Sequence, residues 1–108
     1  MKVEFKYDKV YVTGKPKEYM QKTPTRRHRF KNGSGTCSFD MADMFQFENN
    51  CTHLLVVDMT LNQVLKFKKE DVLPTIVKTP YMGGFIYVAE LKKLYIDGKY
   101  ELVGAKHG

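Results

Sequence analysis

Three arginines stand within four residues, at Arg26, Arg27 and Arg29, with Lys22 and Lys31 close by and Tyr19, His28 and Phe30 interleaved. A guanidinium is a planar fork of donors that matches phosphate oxygens two at a time, and a neighbouring ring can stack on a base. The pattern points to a nucleic-acid surface, with Lys22, Arg26, Arg27, Arg29 and Lys31 as phosphate contacts and Tyr19 and Phe30 as stacking rings. The same charges would also meet an acidic or nucleic-acid-binding protein, and a solvated surface that only aids solubility would carry them as well. The run NGSG at 32–35 could add backbone N–H groups to a phosphate. It matches neither the Walker pattern nor the dinucleotide fingerprint, so a solvated turn is expected there.

A second set of residues has metal-ligand chemistry. Cys51-Thr52-His53 is a Cys-x-His pair, with Cys37 fourteen residues earlier and His28 nine before that. Four such ligands would suit tetrahedral zinc, but the spacing fits no standard finger or ribbon. His53 reads equally as the start of a strand and Cys51 as filler of a small core gap. No metal and no other cofactor is expected, and both cysteines are read as free thiols. Ser34 and Ser38 sit in no nucleophile-elbow motif, and the three histidines define no triad.

The elements that must position these residues follow from periodicity. Val3, Phe5, Tyr7 and Tyr11 alternate with polar residues, as in a half-buried strand or hairpin arm. The stretch 14–22, with Gly14 and Pro16, reads as a connection, and 27–31 as an exposed edge strand or a mobile loop. Residues 38–48 satisfy both a strand and a helix template; Ser38 as N-cap favours the helix. HLLVVDM at 53–59 is apolar on both faces, the mark of a central strand, and with VLKFK at 64–68 makes an antiparallel hairpin. Pro74 and Pro80 bracket an irregular or briefly helical stretch, and 85–95 begins β-rich and turns helical. Asp97-Gly98 predicts a type I′ hairpin turn, because both central residues of that turn need positive φ. Met41, Met44, Met59 and Met82, with Phe39, Phe45 and Phe47, read as core, the alternative being an adaptable partner surface.

The predicted fold is α+β: one small domain, 1–108, with an antiparallel or mixed sheet of about five strands and one or two helices. Of the net charge of +6, residues 1–36 hold ten Lys and Arg against three Asp and Glu, while 37–108 hold eight against nine. The chain therefore divides into a basic N-terminal third and a near-neutral core. No stretch approaches the roughly 18 apolar residues of a membrane span, and the N-terminus has no signal-peptide pattern, so a cytoplasmic protein without membrane contact is expected.

Glu4-Phe5-Lys6, followed by CTHLLVVDMTLNQVLKFKKEDV at 51–72, resembles the later half of PD-(D/E)XK nuclease-like domains. That resemblance implies Glu4 as a divalent-metal ligand and Lys6 as the group steadying the attacking water. Metal-dependent phosphodiester cleavage usually needs more than one acid converging on the ion, which Glu4 alone does not supply. The expectation is thus a basic protein that binds DNA or RNA without catalysis. A protein-binding inhibitor or adaptor, of the kind encoded by mobile genetic elements, ranks second and a nuclease-like domain third.

Overall fold

The computed structural model describes residues 2–4, 9–11 and 19–105, with side chains from Tyr19 to Val103. Nine strands in these residues form an α+β arrangement of three sheets. β1 (Lys2–Glu4) and β2 (Lys9–Tyr11) pair antiparallel, consistent with the early alternation. The side chain of Glu4 and all of Lys6 lie outside the described residues.

The four-stranded sheet is built around β5 (His53–Asp58), as its two-sided apolar pattern predicts. β5 pairs antiparallel with β6 (Gln63–Lys68), from His53 opposite Lys68 to Asp58 opposite Gln63. Its other neighbour is β3 (Tyr19–Lys22), which runs parallel to it with Tyr19 opposite His53. This corrects the reading of 14–22 as a connection throughout: four residues carry too little pattern to announce a strand, and the open edge of β5 recruits them. β9 (Glu101–Ala105) completes the order β3-β5-β6-β9. Leu54, Val56, Leu65 and Phe67 point into the main core, while Leu55, Val57 and Val64 fill the opposite face.

The second layer is the sheet β4-β8-β7, formed by β4 (Thr36–Phe39), β7 (Ile76–Tyr81) and β8 (Gly84–Glu90). Stretch 38–48 uses both of its templates in turn, because β4 ends at Phe39 and α1 (Met41–Asn50) begins after one residue. The N-cap is Asp40, not Ser38: its Oδ1 accepts the Asp43 N–H at 2.7 Å. Phe39 and Phe47 stack at 5.4 Å inside, with Met44 beside them in the core. Met41, Phe45 and Met82 are exposed, so only part of the Met/Phe set is core.

The tight hairpin turn falls elsewhere than at Asp97-Gly98. Met82 and Gly83, at φ 46° and 81°, make the tight two-residue turn of the β7–β8 hairpin. Asp97-Gly98 instead ends α3 (Lys92–Ile96): the Gly98 N–H bonds the Tyr95 carbonyl at 3.1 Å and the Lys99 N–H bonds Leu94 at 2.9 Å, a Schellman closure. Gly98, at φ 72°, serves a helix end as well as it would a hairpin. The helix wins because Leu91, Leu94 and Tyr95 pack on the core, and because β9 finds its partner in β6. Between Pro74 and Pro80 the chain is a 3₁₀ turn (Leu73–Thr75), following α2 (Lys69–Val72), and then β7, an edge strand where Pro80 is tolerated.

Candidate nucleic-acid interface

The basic stretch is neither an edge strand nor a loose loop. It joins β3 to β4 across the end of the core, and its shape is set by Phe30. That ring is fully buried, 5.9 Å from Phe67 and 5.0 Å from Tyr95 between centroids. Placing Phe30 inside costs the main chain its water, and both of its polar groups are met. The Phe30 N–H donates to Asp58 Oδ2 at 3.2 Å, and the Lys92 ammonium donates to the Phe30 carbonyl.

Around this anchor the loop closes on itself. Arg26–His28 form a 3₁₀ turn, with the His28 N–H on the Thr25 carbonyl at 2.8 Å. The Ser34 N–H reaches the Arg27 carbonyl at 3.2 Å, and the Leu91 N–H holds Gly35 at 2.8 Å. His28 Nδ1, Ser34 Oγ and Thr36 Oγ1 form a triangle of hydrogen bonds with sides of 2.7, 2.8 and 2.9 Å. A Cβ at Gly33 would fall 2.3 Å from the Arg27 carbonyl oxygen and 2.6 Å from that of Arg29. We therefore expect Gly33→Ala to lower stability by about 1–3 kcal/mol, the usual cost of overpacking, read as a shift in the urea midpoint. A change below a few tenths would mean that the crossing is loose.

The seven residues predicted for the interface separate. Arg26, Arg27 and Lys31 are exposed and enter no side-chain hydrogen bond or ion pair among the described residues. Arg29 is half-buried, with Nη1 3.3 Å from Thr60 Oγ1 and its Nε buried without a partner, so it braces the loop against the β5–β6 turn. The Lys22 ammonium sits 2.7 Å from Asp43 Oδ2 and 5.0 Å from the Phe39 ring centroid, tying β3 to α1. Phe30, wholly buried, is closed to stacking on a base. Tyr19 lies on the sheet face opposite Lys22, with its ring 5.9 Å from His53 and 5.2 Å from the Lys66 ammonium.

Sequence reasoning missed the hydroxyls beside this loop. Thr23, Thr25, Thr36 and Ser38 join Lys22 and His28 around a pocket of about 240 Å³. The only hint in the chain is the density of Ser and Thr flanking the arginines. No protein family, curated protein or solved structure matches this chain. The functional argument accordingly rests on the chemistry of its own residues.

The possible zinc ligands are not gathered: among the described residues no three His, Cys, Asp or Glu side chains are placed to hold an ion. Cys37 and Cys51 are both buried and are not joined by a disulfide. Burial pushes the Cys37 thiol up to about 12, against the opposing pull of Lys22, and burial also raises Cys51. His53 is shifted below its usual 6.5, first by desolvation and then by Lys66. No helix among the described residues is long and apolar enough to cross a membrane.

Proposed function

We propose that this chain is a small nucleic-acid-binding protein that acts without catalysis, using the loop between β3 and β4. The carrying observation is that Arg26, Arg27 and Lys31 stand exposed and without ion-pair partners among the described residues, on a loop anchored by Phe30, Asp58 and Lys92. Cations already neutralised by a carboxylate, as Lys22 is, release few counterions on meeting a phosphate, whereas free ones release nearly one each. An anchored loop also loses little conformational freedom on binding. The adjacent pocket adds hydroxyl groups and the His28 imidazole next to this loop.

Fluorescence anisotropy with a labelled duplex at several salt concentrations tests this reading. Three phosphate contacts give a log–log slope of about −3, shallower than five predicted contacts would give. A flat dependence, or no binding at low salt, would transfer the loop to a protein partner. That second reading, an inhibitor or adaptor, draws support from Tyr81, Met82 and Phe85 at the β7–β8 tip, which are 55%, 88% and 63% exposed. Aromatic residues and methionine are enriched at protein interfaces.

A further inference from the structure

A second concave site lies on the outer face of the four-stranded sheet, built from residues that do not belong to the basic loop. His53 and Lys68 face each other across β5 and β6, and Lys66 and Glu101 across β6 and β9. Paired residues share a face, and Lys66 and Lys68 are two apart, so all four project to the same side. Leu54 and Phe67, on the alternate rung, project into the core. The segment between α3 and β9 contributes Lys99 and Tyr100, and α2 contributes Asp71. Together they enclose a cleft of about 400 Å³, within the range of roughly 300–1,000 Å³ typical of small-molecule sites.

The chemistry of its walls is mixed in a particular way. Lys68 and Lys99 are exposed ammoniums with no ion pair among the described residues. Lys66 is largely covered, 3.7 Å from Glu101 Oε2 and 5.2 Å from the Tyr19 ring centroid, so its position is set before any ligand arrives. One ring, His53, supplies flat surface to the cleft; Tyr100 borders it, but its ring is turned into the core, 5.9 Å from Phe67 and 5.7 Å from Tyr95. Asp71 and Glu101 are acceptors only, and would repel a bare anion while accepting bonds from hydroxyl or amino groups. A ligand that answers all of these must carry an anionic group, a flat ring and hydrogen-bond donors.

We propose that this cleft binds a nucleoside phosphate, with the phosphate among Lys66, Lys68 and Lys99, the base against His53, and sugar or base donors on Asp71 and Glu101. Desolvation and Lys66 hold His53 below 6.5, so near neutral pH its ring is uncharged and offers a stacking face without adding to the positive charge. The same nucleotide unit could arrive free or as part of a single strand. Such a strand would cross the sheet face rather than the loop.

The test is an amide-resonance titration of the whole chain with uridine 5′-monophosphate and adenosine 5′-monophosphate, beside uridine, inorganic phosphate and a short single-stranded oligoribonucleotide. The nucleotides should shift His53, Lys66, Lys68, Lys99 and Tyr100 but not Arg26 or Arg27, and should bind more tightly than uridine or phosphate. Lys68→Ala and Lys99→Ala, both at exposed positions, should each weaken nucleotide binding about tenfold with melting unchanged. An oligoribonucleotide that binds more tightly at the same resonances assigns the unit to a strand, and equal affinity assigns it to a free nucleotide. The proposal is overturned if neither nucleotide shifts these residues, if phosphate or uridine alone matches the nucleotide, or if both variants bind as wild type does. Since Arg26 and Arg27 are not involved, failure here leaves the loop reading intact, and failure of the loop leaves this one.

Discussion

Asp58→Ala is expected to cost about 3–6 kcal/mol, enough to unfold much of a domain whose whole stability is of the order of 5–15 kcal/mol. Asp58 is the only charged residue among the described side chains that is fully buried. Its carboxylate is shared between two distant parts of the chain. Oδ1 accepts the N–H groups of Thr60 at 2.8 Å and Leu61 at 3.1 Å, which shapes the β5–β6 turn. Oδ2 accepts the Phe30 N–H at 3.2 Å, which fixes the basic loop to the end of β5. Removing the carboxylate leaves three main-chain donors without their acceptor, each worth about 1–3 kcal/mol where water cannot replace it. Asp58→Asn retains one acceptor oxygen and should fall between the two, its amide unable to satisfy both segments. Urea denaturation of the three proteins decides the matter. A loss below about 1 kcal/mol for Asp58→Ala would show that Phe30 packing and Lys92 anchor the loop without it.

Much of the fold was legible where a run of side chains carried its own period. HLLVVD could only be an interior strand, since no alternation leaves it a wet face, and its hairpin with QVLKFK follows from the turn between them. The strand-then-helix character of 85–95 was legible too, although Ala89 and Glu90, which favour helix by composition, belong to β8. Local signals failed where two structures need the same backbone angle. Asp97-Gly98 supports a hairpin or a helix end, and only the packing of Leu94 and Tyr95, remote in sequence from their neighbours, chooses.

The interface was legible as a charge cluster but not as a surface. Nothing in RRHRFK distinguishes Phe30, which plugs the core, from a ring presented to a base; that depends on the receiving rings, Phe67 and Tyr95. Lys22 looked equivalent to Lys31 until α1 brought Asp43 against it. Counting charge along the chain also concealed the cleft of Lys66, Lys68 and Lys99, because its own Asp71 and Glu101, with the other acids of 37–108, cancel these lysines in the sum.

The central claim is that the two exposed loop arginines touch phosphate, and charge reversal at both tests it most directly. Arg26→Glu/Arg27→Glu removes two charge-assisted contacts and puts two carboxylates in their place. Neither wild-type side chain has a hydrogen bond or ion pair to lose among the described residues, so the fold should keep its stability to within about half a kcal/mol per site. Binding should not be spared: at about tenfold per contact the combined loss is about a hundredfold or more, and the salt slope should collapse from about −3 to about −1. The measurement is the affinity of wild type and double variant for one labelled duplex at one low salt concentration, with thermal melts of both in the same buffer. A loss of at least about a hundredfold with superimposable melts is the predicted result. Equal affinity of the two proteins, with both folded, would contradict it.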